Sequence, residues 1–185
     1  MPIIDRIKNI LMVPKSEFPT LKAEATDVAG LYKEYLLYIA ALPAIGTLLS
    51  FGAFWGFGYR RKLAIIGYVV TLASFYISAF IIDALAQSFN STKDLTNSLK
   101  LVGYASTPSM VGRLFTFLPG IGWLLSLAGS IYSIYLFYLG LPVFMDTPPD
   151  KTVIYMIVAF LVSIVVYAVL AALLFPLFGL SMMWG

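Results

Sequence analysis

The chain contains no cysteine and no histidine among its 185 residues. Without thiols there are no disulfides and no thiol nucleophile. Without imidazole there is no histidine general acid or base. Zinc, haem-thiolate and iron–sulfur sites built on these ligands are excluded as well. The missing cysteines leave the redox compartment unspecified. Charge is also scarce, at 11% of residues against 61% hydrophobic, and the mean hydropathy is +0.92. A soluble domain carries about a quarter charged residues. So few polar groups cannot cover a surface facing water, and the length allows only one ordinary domain. Lipid is the solvent this composition suits, in an all-α bundle of several spans.

The few charges are clustered. Positions 1–34 hold ten of the twenty-one (Asp5, Arg6, Lys8, Lys15, Glu17, Lys22, Glu24, Asp27, Lys33, Glu34), after which 35–59, 63–82, 114–145 and 152–185 carry none. A helix rises about 1.5 Å per residue and the hydrocarbon core is about 30 Å thick, so about 20 apolar residues suffice to cross. Pro2 and Asp5 precede the first basic residue and no long apolar core follows, unlike a cleavable signal. The first span is expected to act as an uncleaved insertion signal.

Residues 1–34 are expected to form a cytoplasmic, amphipathic lead-in. Ile3, Ile7, Ile10 and Leu11 recur at helical spacing opposite Asp5, Arg6, Lys8 and Asn9. Such a helix suits either the membrane surface or a cap on the protein's own spans. Pro14 and Pro19 are expected to break the chain. Residues 35–185 then divide into spans at about 35–54, 63–89, 99–117, 121–141 and 152–175. Asn90 to Asp94 reads as an aqueous turn, and Leu118-Pro119-Gly120-Ile121-Gly122 as the turn that folds back a stretch too long for one crossing. Asp146 to Lys151, with two prolines among three charges, cannot be buried helix. Pro176 is expected to end the last span, and no soluble domain is left over.

Five spans put the termini on opposite sides. Eight basic residues (Arg6, Lys8, Lys15, Lys22, Lys33, Lys93, Lys100, Lys151) fall on the N-terminal side and four (Arg60, Arg61, Lys62, Arg113) on the other. The positive-inside rule counts Lys and Arg, which favours a cytoplasmic N-terminus and an external C-terminus. All nine acids also fall on the N-terminal side, but they contribute little to that rule.

Asp83 is the acidic residue inside an expected span, and an intramembrane ionisable group is a functional candidate. It lies about six residues from the end of span 2, within reach of water, Lys93 or Lys100, which favours an interfacial anchor over a polar functional site. Arg113, on span 3, is expected near the opposite surface. Pro108 removes a backbone donor and frees the Tyr104 carbonyl, and Pro43 does the same to Ile39. Tyr104, Ser106, Thr107 and Pro108 thus form a kinked, hydroxyl-rich stretch that could line a cavity or serve close packing. Arg60, Arg61 and Lys62 are candidate contacts for anionic lipid headgroups, or simple punctuation between spans. Gly52 and Gly56 have the spacing of a dimerisation face. Tyr132, Tyr135 and Tyr138 form a stripe whose hydroxyls need partners, which places it against other helices. Nothing resembles a phosphate-binding loop, a carboxylate pair, a nucleophile motif or a nucleic-acid-binding surface, so neither an enzyme nor a cofactor is expected.

The blocks from Leu101 to Pro108, Leu118-Pro119-Gly120, Ile131 to Pro142 and Pro149-Asp150-Lys151, with the lead-in from Arg6 to Glu17, resemble the prokaryotic branch of the Yip domain family, the Ypt/Rab-GTPase-interacting-protein relatives. The resemblance implies five spans, a cytoplasmic N-terminus and no catalytic residues. Eukaryotic relatives act in vesicle trafficking, bind Rab-type GTPases and associate with one another. The short lead-in here argues against GTPase binding. The expected activity is membrane organisation or trafficking through lipids, other membrane proteins or further copies of the chain. The alternative is a small transporter or channel with a polar path near Asp83 and Tyr104–Pro108.

Overall fold

The computed structural model describes residues 2–50 and 57–183, with side chains to position 172. Trp55 and the Gly52–Gly56 pair lie outside the described residues. Among those described, the fold is all-α. Helices α1 (Ile3–Met12) and α2 (Pro14–Ala23) form the lead-in. Then follow α3 (Val28–Leu49), α4 (Phe57–Phe89), α5 (Leu95–Ala105), α6 (Thr107–Leu114), α7 (Gly122–Met145) and α8 (Pro149–Met183). Helix α3 contains one π-helical turn, Tyr32–Leu36, and α4 closes in a 3₁₀ turn, Ala86–Phe89. By length and composition, α3, α4, α7 and the first 24 residues of α8 can each cross a membrane.

The stretch expected as span 3 is not one helix. Helix α5 stops at Ala105, Ser106 turns, and α6 restarts with Pro108 in its first turn, where a missing N–H costs nothing. Three hydroxyls and a serine from α7 hydrogen-bond the backbone on either side of the break. Ser106 Oγ donates to the Val102 carbonyl (2.6 Å), Thr107 Oγ1 to Gly103 (3.4 Å) and Ser109 Oγ to Ser106 (2.8 Å), while the Ser109 N–H donates to Ser133 Oγ (3.0 Å). A 3₁₀ turn, Phe115–Phe117, and Gly120 at φ +79° then reverse the chain at Pro119, as the turn signals require.

Glycines hold α6 between α3 and α7. A Cβ at Gly46 would lie 2.6 Å from the Arg113 carbonyl, and one at Gly129 would collide with the Pro108 carbonyl. Backbones that meet this closely exclude side chains between them, which is how helices associate in lipid. Around this contact, Tyr35, Leu36, Ile39, Leu99, Leu101, Tyr104, Leu136, Leu141 and Phe144 are fully buried.

The lead-in packs on the spans. Ile10, Phe18 and Leu21 are buried, and the Phe18 ring meets Phe144 at 5.3 Å. Two expected breaks do not occur. Pro19 sits inside α2 and the last helix runs through Pro176 to Met183. Proline removes one donor and crowds one carbonyl, which a helix can absorb where neighbouring structure or lipid offers no better arrangement. Pro43 is likewise inside α3, where Thr47 Oγ1 donates to its carbonyl at 3.0 Å. Pro149, expected in a loop, starts α8. The loops at 90–94 and 146–148 are joined by Thr92 N–H to Met145 O (2.7 Å) and Ser91 Oγ to Thr147 Oγ1 (2.9 Å). Asn90 and Asp146 take the left-handed conformations, φ 56° and 52°, that their short polar side chains tolerate.

Gly129→Val should lower thermal stability in detergent by about 1–3 kcal/mol, because the added branch meets backbone rather than a side chain that can rotate away. Gly67→Ala, with nothing within 4 Å of the new methyl, should leave the melting temperature unchanged or raised.

Candidate functional site

A helix that leaves Arg6 on the inner face of an amphipathic stripe must give that cation partners. Arg6 Nη2 donates to the Glu24 carboxylate at 2.9 Å and Nη1 to Tyr104 Oη at 3.2 Å. The Tyr104 ring meets Tyr35 edge-on at 4.9 Å, and Tyr35 Oη shares a 2.6 Å hydrogen bond with Thr107 Oγ1. Lys100, 2% exposed, donates from Nζ to the carbonyls of Lys22 (3.0 Å) and Glu24 (2.7 Å), capping the C-terminal end of α2. Lys22 reaches Asp146 Oδ1 at 2.6 Å, and Thr92 donates to the other oxygen. The Lys22 hydrogen bond, helped by Thr92, holds the Asp146 carboxyl below the usual carboxylate range. Tyr132 Oη donates to the Leu11 carbonyl at 2.8 Å. A polar seam thus ties the lead-in to the broken helix.

The sequence candidates separate in space. Tyr104 and Thr107 belong to this seam. Pro108 is buried, with Gly129 against its carbonyl. Ser106 alone of the four lines a cleft on the other side, between α4, α5, α7 and α8, together with Ser78, Ser163 and Tyr167. Arg113 lines a connected part of that cleft with Thr71 and Ser74. Asp83 lines neither part. It is 8% exposed, its Oδ1 has no hydrogen-bond partner, and no ion pair with Lys93, Lys100 or Arg113 forms among the described residues. Its neighbourhood includes Tyr155, whose hydroxyl donates to the Ile82 carbonyl at 2.5 Å. Of the basic cluster, Arg60 turns back to the Ser50 carbonyl and lies over the Phe57 ring, while Arg61 and Lys62 are exposed. The tyrosine stripe divides too. Tyr132 faces the lead-in, but Tyr135 and Tyr138 are 44% and 42% exposed, because a spacing of three drifts around a helix of 3.6 residues per turn.

Arg6, expected on the polar face of the lead-in, is turned inward, Lys100, expected within reach of Asp83, caps α2 instead, and Glu24 was not singled out, since only the packed lead-in gives these groups their partners. Ser163 and Tyr167, one turn apart in a largely apolar span, were a legible signal. Among the described residues, no cluster of three or more acidic side chains could hold a metal ion.

Compared with known proteins, the Yip1 domain family matches residues 8–182 of the chain. The inner membrane protein YohC of Escherichia coli strain K12 is 26% identical over 184 residues, covering 90% of this chain and 92% of its own length. YohC of E. coli O6:H1 strain CFT073 gives the same figures. No solved structure matches.

Arg6→Ala should speed amide exchange across residues 3–23 by about ten- to a hundredfold, the loss expected of charge-assisted hydrogen bonds worth about 1.5–3 kcal/mol. Unchanged exchange would mean that the seam does not hold the lead-in. A carboxyl held low stabilises above its unfolded pKa and stops doing so as pH falls through its folded one. A spin label on Thr20→Cys, in a chain with no other cysteine, should therefore become more mobile as the pH drops below the carboxylate range. Asp146→Asn should make it mobile already at neutral pH.

Proposed function

The chain belongs to the Yip1 domain family, and from that premise we propose that it is a five-span protein of the inner, cytoplasmic membrane that organises membrane components by binding lipid and other membrane proteins, copies of itself included, and catalyses no reaction. The observation that carries this reading is the disposition of its polar groups. The buried charges and hydroxyls of the seam are engaged with one another and with backbone, which serves architecture. A hydroxyl-lined cleft opens sideways, past the exposed rims Val70 and Phe160, toward the place lipid or a partner helix would occupy.

The broken α5–α6 segment counts as a span in this reading. From Leu95 to Leu114 it has 20 residues, about 30 Å of helix, which is enough to cross. The excess of basic residues on the N-terminal side supports a cytoplasmic N-terminus, and the name of the relative YohC supports the inner membrane. A transporter reading loses its main element, because Asp83 does not face the cleft that Ser106 lines.

An odd number of spans separates the termini, so topology reporters test the proposal directly. A cytosol-only fluorescent reporter should light at the N-terminus and stay dark after Gly185. Fluorescence at both ends would leave an even number of spans and remove this reading. Cross-linking in native membranes should give species larger than the monomer.

A further inference from the structure

Helices α4, α5, α6 and α8 do not close on one another. The cleft between them has two parts, of about 240 and 360 Å³, that share Ser78, Val102, Ser106 and Tyr167. The larger falls within the size range of small-molecule sites. Most of its hydroxyl hydrogens are already committed, Ser74 Oγ being without a hydrogen bond among the described residues. Tyr167 donates to the Ser74 carbonyl (2.9 Å), which leaves Ser78 to donate to Tyr167 (2.8 Å). Ser106 donates to Val102 (2.6 Å), Ser163 to Ala159 (2.7 Å) and Thr71 to Gly67 (2.8 Å). The remaining wall is apolar, with Phe137 and Phe160 in the deeper part.

Arg113 is the one charged residue that lines the cleft. It stands at the end near the α6–α7 turn, and no hydrogen bond or ion pair engages its guanidinium among the described residues. It lies 18 residues beyond Leu95, roughly 27 Å of helix, which on the five-span reading is the headgroup level opposite the N-terminus. A free inorganic anion would leave the apolar length unfilled, and a neutral apolar molecule would leave the cation unmet. An amphiphile with an anionic head satisfies both.

We propose that this cleft is a lateral binding site for one anionic glycerophospholipid, with its phosphate on Arg113 and one acyl chain running past Val102 toward Phe137 and Phe160. This names a ligand for the interaction role proposed above and rests on its five spans. Arg113 presents five donors in a rigid fork, which suits a phosphate diester.

Native mass spectrometry of the purified full chain, titrated with phosphatidylglycerol or phosphatidylcholine, decides it. The wild type should retain one phosphatidylglycerol with about fivefold preference, the effect of roughly one cation on an anionic headgroup. Arg113→Gln should remove the preference and Arg113→Lys should keep most of it. Ser163→Phe, which fills the deeper part, should lower retention of both lipids. Equal retention of the two lipids by wild type, a preference that survives Arg113→Gln, or displacement by inorganic phosphate as effective as by the lipid would each overturn the site. If Arg113→Gln fails to fold, the Lys and Ser163→Phe variants decide. Oppositely placed termini with no lipid preference would reject this site and leave the five-span reading standing.

Discussion

In hydrocarbon no water is available to rescue a broken backbone hydrogen bond, and the rest of this fold follows from how that demand is met at one place. The segment between Leu95 and Leu114 packs among α3, α4 and α7 while carrying Pro108, which cannot donate. The chain solves this by ending one helix and starting another. The backbone around the break is hydrogen-bonded within a few residues by Ser106, Thr107 and Ser109, and from outside by Ser133. Because a repair from α7 needs the backbones close together, Gly112 and Gly129 are required on the α6–α7 contact and Gly46 on the α3 side. The break and the glycines are one device.

The lead-in is built onto the same place. Arg6 enters from α1 to reach Tyr104, and Tyr35 enters from α3 to reach Thr107, so two neighbours of the break are held by other elements. A charged side chain that is 8% exposed is costly unless it is paired and hydrogen-bonded, and Arg6 has both kinds of partner. Lys100 contributes differently, as a cation at the end of α2 rather than as half of an ion pair. With Tyr104 and Thr107 facing this seam and Ser106 facing the cleft, the two sides of one short segment serve a structural and an open role.

Much of the architecture was legible beforehand. Long uncharged runs announced the spans, and the polar stretches near 90 and 147 and the glycine–proline turn at 119 marked where the chain reverses, because a bilayer tolerates only helices of a certain length between polar ends. The break at Ser106 was legible as a kink around Pro108. That it would separate two helices was not, since the strength of a proline effect depends on what neighbours offer the freed groups. Pro19, Pro43 and Pro176, inside helices that continue, show the same dependence in the other direction. Of the candidate site, residue types were legible and groupings were not. Tyr104, Ser106, Thr107 and Pro108 are adjacent in sequence but point to three different neighbours, because successive helical residues differ by about 100° around the axis.

Composition and charge spacing by themselves determined that this chain lives in a membrane as helices, and the loss of thiols and imidazoles determined much of the chemistry it lacks. These are one-dimensional properties, set by transfer from water to lipid residue by residue. Only the tertiary structure decided that Arg6 meets Glu24 and Tyr104, that Asp83 and Arg113 line no common cleft, and that Arg113, without a partner among the described residues, stands in a hydroxyl-lined cleft. Those outcomes depend on which helix faces pack together. That choice belongs to the close approach of backbones across the glycines, and no single segment encodes it.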